Sequence, residues 1–147
     1  MYSLKESEYR EADLPVNGII PLYDIEASKY HELFLNIENF VSIINIKKQD
    51  SEKYEMPFTH GLIVSDCSQY TNLLFKKRDA HYIRFLLKCP FGSSDFYFDT
   101  PETYRHISEI KRQYGSISNI ICKYLLTAVS DKDGVLYDYF EAYAELV

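Results

Sequence analysis

"SNIICKYLLTAVSDKDGVLYDYFEAYAELV", residues 118–147, decides the architecture, because it reads either as two helices or as one hairpin. In its first half Ile120, Ile121, Tyr124, Leu125 and Ala128 fall on one side of a helix begun near Ser118. In its second half Leu136, Tyr139, Phe140, Tyr143 and Val147 recur at helical spacing, with Tyr137, Asp138, Glu141 and Glu145 on the other side. Asp133-Gly134 between apolar runs is a hairpin signal. Strand alternation, however, puts Glu141 in line with Tyr137, Tyr139 and Tyr143. The cleaner separation favours helices, the last of which shows acid and a tyrosine to solvent.

Just upstream the local signals are stronger. "CPFG" turns near Gly92 into a short aromatic strand, Asp95 to Phe98, and Thr100 then caps a helix with Pro101 at its first position and Glu102 in its first turn. Lys111 and Arg112 suit the negative end of the helix dipole and Gly115 stops the helix. Its expected inward stripe is Tyr104, Ile107, Ile110 and Tyr114, with Arg105 reaching Glu109 and His106 solvated.

Toward the N-terminus, "HYIRFLLKC" (81–89) alternates as a half-buried strand, and "FTHGLIVSD" (58–66) is a buried strand whose Gly61 permits close approach of a neighbouring backbone. "VSIINIKK" (41–48) is β-branched and short, so it is a third strand. "SQYTNLLF" (68–75) fits either a helix capped by Asp66 or a hairpin with residues 81–89. A helix begun at Asp24 would bury Tyr30, Leu33, Phe34, Ile37, Phe40 and Val41. Helices mixed with short strands, without regular βαβ alternation, predict an α+β fold: one domain over 1–147, with a short, mainly antiparallel sheet covered by helices.

A chain of 147 residues is long enough to bury one sizeable core. Three cysteines without a C-x-x-C pair make a disulfide framework a poor fit, and neither a secretory leader nor a membrane-length apolar run is visible, so a cytoplasmic protein is expected. The 14 Tyr and 9 Phe suit half-buried edges and contact surfaces alike. Charge is uneven. Glu6, Glu8, Glu11, Asp13, Asp24 and Glu26 face only Lys5 and Arg10 at one end, and five acids face only Lys132 beyond residue 130, within a net charge of -6. That balance disfavours nucleic acid and steers a basic protein toward the ends.

No stretch names a reaction. His60 with Asp66 or Cys67 is the weak catalytic candidate for a small hydrolase or transferase, histidine being the usual base near neutral pH. His81 and Cys89 lie in a core stripe, His31 lacks the second histidine of a zinc helix, and Asp95 and Asp99 mark strand ends, so no metal is expected. The absence of a Gly-rich phosphate loop argues against a nucleotide cofactor, and no cofactor is assigned. Lys76, Lys77, Arg78 and Arg84, interleaved with aromatics, would serve an RNA or single-stranded DNA accessory factor.

The expectation is therefore a small acidic binding module that docks onto a basic partner protein and neutralises or inhibits it. By analogy of size and charge it would be immunity-like or anti-defence-like. Its contacts would be Tyr137, Asp138, Glu141 and Glu145, with Glu6, Glu8, Glu11 and Asp13 as a second patch. A homo-oligomer is compatible with all of this.

Overall fold

The computed structural model describes residues 8–22, 40–48, 54–92 and 97–147, with backbone alone at 47–48 and 54–55. The expected helix from Asp24 lies outside the described residues up to position 39, and its last two expected members, Phe40 and Val41, are strand. Asp95, Glu6 and His31 also lie outside, while Tyr97 and Phe98, expected in a strand, form a turn. What is described is mostly sheet, which overturns the expected α+β fold. The strands are β1 (Arg10–Ala12), β2 (Gly18–Pro21), β3 (Phe40–Asn45), β4 (Lys47–Lys48), β5 (Tyr54–Glu55), β6 (Phe58–Val64), β7 (Phe75–Lys76), β8 (Tyr82–Pro90), β9 (Ile117–Val129) and β10 (Leu136–Leu146). Among the described residues one α-helix, α1 (Pro101–Tyr114), accompanies them. Eight strands form one antiparallel sheet in the order β1-β8-β10-β9-β3-β6-β2-β7, while β4 and β5 pair as a separate ribbon.

The stretch 118–147 is thus a long hairpin and not two helices. Ser130 accepts the Gly134 N–H at 2.9 Å, Asp133 accepts the Val135 N–H at 2.9 Å, and Gly134 takes φ 69, a left-handed conformation that glycine adopts at little cost. Two features hid the strands. Their inner halves are buried on both faces, so Ile120, Ile121 and Cys122, like Ala142, Tyr143, Ala144 and Glu145, leave no alternation to read. A bulge also intervenes. Tyr139 pairs with Leu126 but Phe140 pairs with Tyr124, so Leu125 is the extra residue and the phase of the pattern changes there.

The sheet must curl, and the chain's own reach shows why. From β1 to β2 there are six inter-strand steps, about 29 Å across a flat sheet. Ala12 and Gly18 are joined by a link that reaches at most about 22 Å. The link from β7 to β8 is equally short and spans an equal number of strands. Both links therefore cross the concave face, and they meet where Lys77 Nζ donates to Asp13 Oδ1 and to the Leu14 carbonyl, each at 2.8 Å. Leu14 and Val16 are buried there against Val41, Ile43, Phe75, Tyr82, Ile121 and Tyr143. Each such side chain contributes about 1.5–3 kcal/mol by leaving water.

The convex face carries α1. Thr100 accepts the Thr103 N–H at 3.2 Å, Pro101 opens the helix, and the Gly115 N–H closes it on the Lys111 carbonyl at 3.1 Å, all as the sequence signals require. Its buried face is turned from the expected stripe: Thr103, His106, Ile107 and Ile110 pack on Phe85, Leu87 and Cys89, whereas Tyr114 is exposed. His106, expected in solvent, is fully buried, with Nδ1 2.8 Å from the Tyr9 hydroxyl and Nε2 3.2 Å from Glu102 Oε1. Arg105 pairs with Glu102 at 2.5 Å instead of with Glu109, which Arg112 takes. Residues 67–69 form a single 3-10 turn, and Phe75–Lys76 pairs with β2, so neither expectation for 68–75 holds. Gly61 does meet a close backbone: a Cβ there would lie 2.6 Å from the Ile20 carbonyl and 2.4 Å from Ile19 Cγ2.

Candidate binding groove on the convex face

Beyond the helix the convex face opens into a cavity of about 490 Å³. Antiparallel register assembles it. Ser42 stands opposite both His60 and Cys122, and Phe140 opposite Tyr124 and Leu87, so β3, β6, β9 and β10 each turn one ring or polar group to the same side. Its lining includes Phe40, Phe58, Tyr97, Tyr124 and Phe140, with Ser42, His60 and Asp138 as its polar groups. The rings hold one another edge-on: Phe58 to Phe98 at 5.0 Å and 80°, Tyr97 to Phe98 at 4.8 Å and 87°, Tyr124 to Phe140 at 6.0 Å and 73°. Such pairs stiffen the wall beyond what their buried area gives.

Asp138 is the charged group of this wall. Tyr97 donates its hydroxyl to Oδ2, Thr127 donates to Oδ1, and the Tyr124 hydroxyl lies 2.6 Å from Thr127 Oγ1. Burial, and then the bond to Asp138, push the Tyr97 phenol well above its usual range, so it stays a donor. Each carboxylate oxygen has accepted one bond and retains a lone pair. No described lysine, arginine or histidine pairs with it.

His60 keeps an exposed edge at the rim. The Ser42 hydroxyl is 2.7 Å from its Nδ1, and partial burial lowers its pKa below 6.5, so it is neutral at pH 7. Serine beside a neutral imidazole is a nucleophile-and-base arrangement in outline. The partners expected for His60 stand elsewhere: Asp66 caps the 3-10 turn by accepting from Ser68 at 3.1 Å and 2.6 Å, and Cys67 Sγ is 3.5 Å from the Asn17 carbonyl.

The other sequence-derived positions do not gather into one patch. Glu141 and Glu145 point to the concave side, away from Asp138. Glu145 is fully buried, taking bonds from Ser118 at 2.6 Å, Asn119 and Tyr82 at 3.0 Å each, and Arg78 at 3.1 Å. Burial alone would raise its pKa, but those donors together hold it below the ordinary glutamate value. Glu141 accepts from the Tyr143 hydroxyl and has Lys123 opposite in register, while Tyr137 donates to Asp133 at 2.7 Å under the Lys88 ammonium, which lies 4.7 Å from its ring centre. Glu8 pairs with Arg10 at 3.0 Å, Glu11 with His81 at 2.5 Å, and Asp13 with Lys77. Of the basic residues, Lys77 and Arg78 are held by Asp13 and Glu145, Lys76 lies on the edge strand β7, and Arg84 is half-buried opposite Tyr143.

Among the described residues no cluster of three metal-ligating side chains occurs, and no helix is long and apolar enough to cross a membrane. No protein-family model matches the chain, and no curated protein matches it. Sequence inspection missed Ser42, Phe58, Tyr97, Tyr124 and Phe140 as a group. The high aromatic content was their visible trace.

Proposed function

We propose that this chain is a non-catalytic binding module that docks onto a basic protein by taking one of the partner's cationic side chains into the aromatic groove, with Asp138 as its counter-charge. The observation that carries this is the Asp138 carboxylate, set among aromatic faces with no described cation beside it. Ring faces attract an ammonium or guanidinium group, by about 0.5–2 kcal/mol each depending on desolvation, and a carboxylate beside them adds direction. Covering a basic residue that the partner needs would neutralise or inhibit that partner.

The test is titration with an arginine amide or a short arginine-containing peptide, followed by chemical shifts of the Tyr97 and Tyr124 rings. Saturable shifts that weaken with salt and disappear in Asp138→Asn are expected. Shifts that persist in Asp138→Asn, or no shifts at all, would overturn the proposal.

The 2.7 Å contact between Ser42 and His60 favours a second reading, a small serine-dependent hydrolase. Labelling by a fluorophosphonate probe that disappears in Ser42→Ala and in His60→Ala supports it. Failure of the wild-type protein to label removes it.

A further inference from the structure

Four of the groove's rings follow one another in an arc: Phe58 to Tyr97 at 6.2 Å, Tyr97 to Phe140 at 6.1 Å and Phe140 to Tyr124 at 6.0 Å between centres. Phe58, Tyr97 and Tyr124 are half-buried, so part of each ring remains open to the groove. Asp138 is tied to this arc at two places. Tyr97 bonds it directly, and Tyr124 reaches it through Thr127. The protons of that chain run one way: Thr127 gives its own to Asp138, so the Tyr124 hydroxyl donates to Thr127. Neither phenol has a proton left for a ligand.

What such a wall accepts is set by the ligand's donors. A guanidinium carries five N–H groups and a lysine ammonium three. Asp138 has one lone pair open on each oxygen, and a single nitrogen can aim only one N–H squarely at a carboxylate. Ring faces attract the charge, but they do not replace the water that an N–H gives up on entry. Ser42 and His60, the other polar groups of the lining, already bond each other. A cation whose surplus N–H groups are replaced by methyls keeps its charge, lays those methyls on the rings and leaves no donor stranded.

We infer that the groove selects the dimethylated ammonium of a lysine side chain on the partner protein, which has one N–H for Asp138 and two methyls for the rings. This rests on the cation-binding reading above and narrows it. Unmodified lysine strands two N–H groups among the rings, and arginine strands more. Trimethyllysine has no N–H for Asp138 and forfeits a charge-assisted bond. The partner is then marked by a modification and not by its positive charge alone.

Titration of the full chain with one short peptide, carrying lysine, dimethyllysine, trimethyllysine or arginine at a single position, tests it through the Tyr97 and Tyr124 ring shifts. Dimethyllysine should bind roughly tenfold tighter than the other three, since a lost charge-assisted bond and a stranded donor each cost about that factor. In Asp138→Asn its advantage over trimethyllysine should vanish. Lysine or arginine binding as tightly as dimethyllysine, with all binding lost in Asp138→Asn, overturns the selectivity and leaves the cation reading standing. Trimethyllysine binding at least as tightly to the wild-type protein overturns it as well, because the Asp138 bond would then contribute nothing. So does an advantage for dimethyllysine that persists in Asp138→Asn. No binding of any of the four peptides removes both readings together.

Discussion

Asp138 and Glu145 lie on the same strand, yet they face opposite sides of the sheet and meet opposite fates. Glu145 has its charge fully answered from within: three neutral donors and the Arg78 guanidinium surround a carboxylate with no exposure. Asp138 receives two hydroxyls and no described cation, at the wall of an open groove. A buried acid with complete partners fixes a fold, whereas a half-buried acid with incomplete ones invites a ligand. Sequence gave both the same label, acidic and near the end. The sheet separates them.

The sharpest way to break this contrast is to remove each carboxylate in turn. Glu145→Ala strands the Tyr82 hydroxyl and the Asn119 amide inside the protein, so denaturant unfolding should show a loss of about 2–3 kcal/mol. Asp138→Asn should cost less than about 1 kcal/mol, because an amide oxygen still accepts a bond and one partly buried charge is gone. Equal losses would erase the distinction between anchor and receptor.

Acid should sharpen it further. Glu145 is held below its ordinary value, so its contribution is complete above pH 4.5 and is lost as pH falls through its lower folded value. His60 is also depressed, and the unfolded chain takes up its proton first, so stability starts to decline once pH drops below 6.5. Melting temperature measured against pH should therefore fall in two stages. The upper stage should be absent from His60→Ala, and the lower reduced in Glu145→Gln.

The smallest effect belongs to Asp13. It pairs with Lys77 across the two crossing links, but its side chain is 88% exposed, and water screens such a pair. Burial of Leu14 and Val16 holds the links, so Asp13→Asn should leave the melting temperature unchanged within error. A clear drop would assign the closure to charge.

What was legible in the sequence was local. Thr100, Pro101 and Gly115 announced α1 because capping is decided within a few residues, and Gly61 announced a close approach because only glycine leaves room beneath the Ile20 carbonyl. The β9–β10 hairpin was misjudged because burial on both faces and the extra Leu125 removed the alternation that identifies a strand. Its own turn signal, Asp133-Gly134, was the better guide. The groove was illegible for a different reason. Ser42 meets His60 across 18 residues and Tyr97 meets Asp138 across 41, and such meetings depend on register, which no short pattern contains.

The position of β10 has a consequence for biosynthesis. It follows every other described strand in the chain, yet it lies between β8 and β9 near the middle of the sheet. As the polypeptide leaves the ribosome, β8 must therefore wait beside an empty lane until the closing hairpin emerges. Until then the buried Phe98 ring lacks Phe140, its neighbour at 5.4 Å, and a holdase chaperone has its window.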